Sequence, residues 1–94
     1  MVASVTLFQN HPNPFNPTTT IRFELTKSSR VDLSIFDAAG ARVAGLANSV
    51  YPAGTTDVNW NGTDAEGHRV SSGVYFYRLV SGTDVLTRKM VLLK

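Results

Sequence analysis

Ninety-four residues with 43% apolar side chains and seven glycines are enough for one folded domain and leave no length for a second. The lack of cysteine excludes a disulfide framework, a thiolate metal site and a cysteine nucleophile. A formal charge of +2, with only 17% of residues charged, argues against nucleic-acid binding through phosphate neutralisation, which needs a dense basic face.

In chain order, Met1 to Phe8 carries no Lys or Arg and no long apolar stretch, so it does not read as a secretory signal peptide. Met1 is expected to be an expression start on a piece of a larger extracellular protein. Residues 1–17 form a Pro/Asn-rich lead, in which Asn13-Pro14 and Asn16-Pro17 favour extended backbone. The sandwich strands are expected in 18–94, and 1–94 is read as a single domain. Ile21, Phe23 and Leu25 alternate with Arg22 and Glu24, which predicts a half-buried strand over Thr18 to Leu25. Val31, Leu33 and Ile35 repeat the pattern. Asp37-Ala38-Ala39-Gly40 suits a type I turn closed by a glycine bulge, with Ala41 to Leu46 as the return strand and Val43 on its buried face.

Tyr51-Pro52-Ala53-Gly54 reads as a turn, after which Thr56, Val58 and Trp60 alternate with polar residues and direct the indole to the core. Asn61 to Gly67 is polar and turn-rich. Val74 to Val80 is apolar on both faces, with Tyr75, Tyr77 and Leu79 on one and Val74, Phe76 and Val80 on the other, a pattern suited to a central strand. Ser81 to Asp84 turns the chain into a last strand, Val85 to Leu93, whose facing the pattern leaves open between Met90/Leu92 and Val91/Leu93. The longest apolar run, Met90 to Leu93, is far short of the about 20 residues a membrane-spanning helix needs. Short strands separated by Gly and Pro turns predict an all-β, immunoglobulin-like antiparallel sandwich of about seven strands. In it Tyr75 is the tyrosine of the strand corner, and Tyr77 stands where antibody domains carry cysteine.

Chemistry is sparse. His11 and His68 fit no metal-ligand or nucleophile spacing and read as surface loop residues. The glycines sit singly at turns and build no phosphate loop. Asn61 to Gly67 gathers oxygen donors but offers calcium only Asp64 and Glu66 as carboxylates, fewer than such sites use. Trp60, Tyr51, Tyr75, Tyr77 and Phe76 could stack on sugars, although most fall on strand positions that suit a core. The chain is read as non-enzymatic, with no cofactor and no metal.

Four stretches, "LFQNHPNPFNPTTTIRFEL", "VDLSIFDAAGARV", "AGTTDVNWNGTDAEGHRVSSGVYFYRL" and "TRKMVLLK", run in order from Leu7 to Lys94. Together they resemble the C-terminal sorting domains of the type IX (Por) secretion system, and they are also similar to the immunoglobulin-like domain of flagellar hook-capping proteins. His11 stands where many relatives carry an aromatic. The first resemblance implies a sorting module at the end of a larger secreted cargo protein, brought to the bacterial cell surface by outer-membrane secretion machinery and processed by a surface peptidase. It points to Gly73 and Tyr75 of "SGVY", with Lys89 and Lys94, as recognition residues. The second implies a structural assembly module, and a carbohydrate-binding accessory domain is a further alternative. Arg88, Lys89 and Lys94 would suit an acidic receptor if the last strand offers an open edge.

Overall fold

The computed structural model describes residues 4–93; Met1, read above as a start on a fragment, and Lys94, a predicted recognition residue, lie outside the described residues. Seven strands are found, β1 (Val5–Leu7), β2 (Thr19–Leu25), β3 (Ser29–Asp37), β4 (Arg42–Tyr51), β5 (Gly54–Trp60), β6 (Gly73–Ser81) and β7 (Asp84–Leu92), and no helix occurs among the described residues. They form two antiparallel sheets, ordered β1-β2-β5 and β4-β3-β6-β7. The expected immunoglobulin-like sandwich is what the chain adopts.

The alternation of β2 and β3 does what period-2 patterning requires: Ile21, Phe23 and Leu25 from one sheet face Val31, Leu33 and Ile35 from the other. Tyr75, Tyr77 and Leu79 of β6 complete the layer from a strand paired on both sides, as its apolar content predicts. The open choice in β7 resolves in favour of Met90 and Leu92, which are buried, while Leu93 is exposed. The register explains this, since Met90 lies opposite Tyr75 and must share its face. At the first hairpin, Gly40 N–H donates to the Asp37 carbonyl at 3.0 Å and Asp37 N–H to the Ala41 carbonyl at 2.9 Å, with Gly40 at φ 89°. That positive φ is open to glycine and strained for other residues.

Two expectations change. The return strand β4 runs to Tyr51, well past Leu46, and Ala44 and Ala47 are its buried residues while Val43 is half-buried. Register shifts between Leu33 and Ser34 and between Ile35 and Phe36 break the strict alternation, so facing cannot be carried along β4 two residues at a time. The lead, moreover, is itself part of the sandwich. It contributes β1 to the three-stranded sheet, and His11 and Thr20 exchange backbone hydrogen bonds at 3.0 and 2.9 Å.

One buried phenol ties this lead to the opposite sheet. Tyr77, fully buried, donates its hydroxyl to the Phe8 carbonyl at 2.7 Å and accepts the Asn10 N–H at 2.8 Å. Asn10, also buried, passes its amide to the Thr19 hydroxyl at 2.9 Å and to the Pro12 carbonyl at 3.1 Å. The network is closed, with no buried side-chain nitrogen or oxygen left without a partner among the described residues. Where antibody domains join their sheets by a disulfide, this chain uses a saturated polar network.

Replacing Tyr77 by Phe leaves the buried Asn10 N–H and the part-buried Phe8 carbonyl without their partner and is expected to cost about 2 kcal/mol in urea unfolding. Tyr75→Phe, which removes one hydroxyl bond at a half-wet corner, is expected to cost about 1 kcal/mol. Equal effects of the two substitutions would contradict the central place given to Tyr77.

Candidate functional site

Three of the predicted recognition residues, Gly73, Tyr75 and Lys89, lie on the β6–β7 hairpin. Gly73 opens β6 opposite Leu92, at φ 151°, and Tyr75 lies opposite Met90 with its ring in the core. The Tyr75 hydroxyl donates to the Ser71 carbonyl at 2.6 Å, four residues upstream, which is the corner geometry anticipated from the sequence. Its ring packs edge-on to Trp60 at 5.5 Å, and Phe15 of the lead follows at 5.6 Å from Trp60, so three aromatics run from the lead through both sheets. Burial pushes the Tyr75 phenol above its ordinary value, and burial does the same to Tyr77. Lys89, opposite Phe76, is exposed on the outer face of the four-stranded sheet. Gly73 and Tyr75 therefore shape the corner, and Lys89 presents charge on the other side of the same hairpin.

The outer edge of the last strand is not open along its C-terminal half. Gln9 donates its amide to the Lys89 carbonyl at 2.8 Å, the Val91 N–H donates to the Asn13 side chain at 3.0 Å, and Phe15 and β7 exchange backbone bonds at 3.0 Å through Val91 and Leu93. Nearer the hairpin, Arg88 Nε donates to the Leu7 carbonyl at 2.7 Å. The expected docking edge is occupied by the chain's own lead. Proline is the reason: Pro12, Pro14 and Pro17 remove N–H donors at three positions, so the lead cannot build a continuous ladder and instead lends isolated groups to β7.

The rest of the predicted chemistry is placed as follows. Among the candidate sugar platforms Trp60, Tyr75 and Tyr77 are buried, while Tyr51, which packs edge-on to Phe23 at 5.4 Å, and Phe76 are half-buried. His11 and His68 are both exposed. An open cleft of about 420 Å³ lies among Phe8, Gln9, His11, Thr20, Arg22 and Asp57. Its two charges neutralise each other, with Arg22 Nε at 2.7 Å and Nη2 at 3.2 Å from the Asp57 carboxylate. Hydrogen bonding from that guanidinium holds the Asp57 carboxyl below its ordinary value.

In the loop from Asn61 to Gly67, Asp64 turns its carboxylate inward on its own backbone. One oxygen accepts the N–H of Glu66 at 2.9 Å and of His68 at 3.0 Å. Asn61 likewise accepts the Thr63 hydroxyl at 2.6 Å, and no group of three or more His, Cys, Asp or Glu side chains meets among the described residues. The oxygen donors that the sequence gathers here are spent on holding the turn. The residue sequence reasoning passed over is Asn10: an asparagine ahead of His-Pro carries the pattern of a surface turn, and only the position of Tyr77 gives it a reason to be buried.

Comparison with known proteins adds to this geometry. The family model for the FlgD Ig-like domain matches residues 10–84. The fold is similar to that of latent PorU from Porphyromonas gingivalis, at TM-score 0.80 and 21% identity over 99% of this chain and 10% of that chain. It is similar also to PorZ of the same organism, a surface component of the type IX secretion system, at TM-score 0.65 and 23% identity over 94% of this chain and 11% of that chain. FlgD from Xanthomonas campestris, which acts in hook capping, matches at TM-score 0.65 and 23% identity over 95% of this chain and 65% of that chain. The chain thus spans about a tenth of the two Por proteins and less than two thirds of FlgD, and at these identities the likeness is one of fold. No curated protein gives a significant match.

Hydrogen bonds from the His68 N–H above all, and from Glu66, hold the Asp64 carboxyl below its ordinary value. A lowered folded value stabilises the protein above the unfolded carboxyl's range and loses that effect as pH falls through the folded value. Asp64→Ala is therefore expected to lower the urea midpoint at about pH 7 and to differ little from the parent at about pH 2. Millimolar calcium is expected to leave the parent's melting temperature unchanged; a rise would show that the loop can release Asp64 to a cation.

Proposed function

The chain belongs to the FlgD Ig-like domain family, and from that premise we propose that it is a non-catalytic sorting and attachment module that directs a larger secreted protein through a type IX secretion system to the cell surface. The observation that carries this reading is that almost the whole chain corresponds to one small portion of PorU and of PorZ, as a module borne by longer polypeptides would. The cleft described above fits recognition rather than reaction, since the charges in it form a self-neutralised ion pair. In this reading the partners are outer-membrane secretion machinery, a surface peptidase and the cargo upstream in the same polypeptide. Gly73 and Tyr75 set the shape of the corner, and Lys89 and Lys94 supply charge.

A second reading is an assembly module of the hook-capping kind, favoured by the family itself and by the larger share of FlgD that the chain covers. It predicts association with hook subunits or with further copies, and no export.

Fusing the chain to a fluorescent periplasmic reporter in a host with a type IX system is expected to bring the reporter to the cell envelope or the medium. Retention in the periplasm, together with binding to purified hook subunits, would replace the first reading by the second.

A further inference from the structure

The two outer faces of the sandwich are built differently. On the three-stranded sheet, cross-strand partners are polar: Arg22 pairs with Asp57, and the Thr20 hydroxyl donates to Asn59 at 2.8 Å. That is the usual solvent face of an antiparallel sheet. On the four-stranded sheet several outward positions of β6 and of its neighbours β3 and β7 are apolar. Val74 lies opposite Val91, Val80 opposite Val85, and Phe76 sits between Phe36 and Lys89. Val74 is 37% exposed and Val85 58% exposed, while Phe36, Phe76, Val80 and Val91 are half-buried. Apolar residues grouped on a sheet face open to water, here in a strip interrupted at Arg78, mark a contact surface more often than scattered single residues do.

The charges around this strip are mainly positive, and its arginines are held by neighbouring groups. The Arg78 guanidinium lies 4.3 Å above the Phe36 ring. Arg42 reaches across the sheet to the Ser34 hydroxyl at 3.4 Å, a path that Gly45 keeps clear, since a Cβ there would come within 2.5 Å of the guanidinium. Arg30 and Lys89 add two more cations, whereas the only carboxylate on the strip is Asp32, which accepts the Ser34 hydroxyl at 2.8 Å. No ion pair to Arg30, Arg42, Arg78 or Lys89 is formed among the described residues. A guanidinium held over a ring, as Arg78 is over Phe36, is partly preorganised, and guanidiniums match carboxylates in a bidentate manner.

We infer that the outer face of the β4-β3-β6-β7 sheet docks a protein surface of different sequence, apolar at its centre and carboxylate-bearing at its rim. A second copy of the same face would set cation against cation, which disfavours a symmetric pairing. The inference rests on the sorting reading for the identity of the partner, as a component that handles the exported chain, but not for the chemistry of the contact.

The test places a photoreactive benzoylphenylalanine at Val74, at Val85 and, as a control on the polar face, at Thr55 of the reporter fusion in a host with a type IX system. An adduct from Val74 and Val85 but not from Thr55, mapped to an acidic, apolar peptide and reduced at least tenfold by Arg78→Glu with Lys89→Glu, is the expected result. The same double substitution is expected to lower export at least tenfold while leaving the urea midpoint in place, and Arg22→Gln on the polar face is expected to leave export within twofold. Export without an outer-face adduct, or unchanged by the charge reversals, overturns the inference and leaves the sorting reading standing. An adduct of that kind without export overturns sorting and leaves the docking face standing. An adduct between two copies, or charge-dependent sedimentation with anionic phospholipid vesicles in place of a protein adduct, overturns the assignment of the partner.

Discussion

The structure turns on the hydroxyl of Tyr77. A sandwich of this size without a disulfide must hold its two sheets by packing and by whatever polar groups it can afford to bury, and buried polar groups stabilise only when every one of them is paired. Tyr77 meets that condition from the middle of the central strand, giving to Phe8 and accepting from Asn10. Through Asn10 the tie extends to Thr19 at the start of β2 and to Pro12 in the lead. A phenol reaches farther than a cysteine, and with Asn10 as a relay it links β6, the lead and β2 where a disulfide would join two segments.

The lead inherits its position from this tie and covers the flank of β7. An edge strand is a template for unwanted pairing unless something blunts it. Here Gln9, Asn13 and Phe15 occupy its groups at Lys89, Val91 and Leu93, and Arg88 closes the gap to β1. With that flank occupied, the outward surface of the hairpin, rather than its edge, is where Lys89 meets solvent. The same hairpin is thus divided between a core face built by Tyr75, Tyr77 and Met90 and an outer face with Phe76 and fixed cations.

Much of the sandwich could be read from the sequence because apolar residues alternate over long enough runs in β2, β3 and β6: Ile21, Phe23 and Leu25, Val31, Leu33 and Ile35, and Tyr75, Tyr77 and Leu79 are all buried as the pattern requires. The corner hydroxyl of Tyr75 was likewise legible, since its neighbours in the chain set its partner. What was not legible depends on distant residues. The facing of β7 follows from Met90 lying opposite Tyr75, the extent of β4 from irregular pairing with β3, and the burial of Asn10 from a tyrosine 67 positions away. The motif that names Gly73, Tyr75 and Lys89 as candidates is local, but the two arginines that frame the outer face, Arg42 and Arg78, carry no local signal. Their arrangement depends on Phe36 and Gly45 being brought alongside by the sheet.

The bonds that seat the lead span nearly the whole domain, joining Leu7 to Arg88 across 81 positions and Gln9 to Lys89 across 80. Until β7 is in place, the Leu7 carbonyl, the Gln9 and Asn13 side chains and the Phe15 backbone lack these partners. Seating the lead is therefore a long-range closure, in which the entropy of a loop of about eighty residues is lost before the contacts that reward it can form.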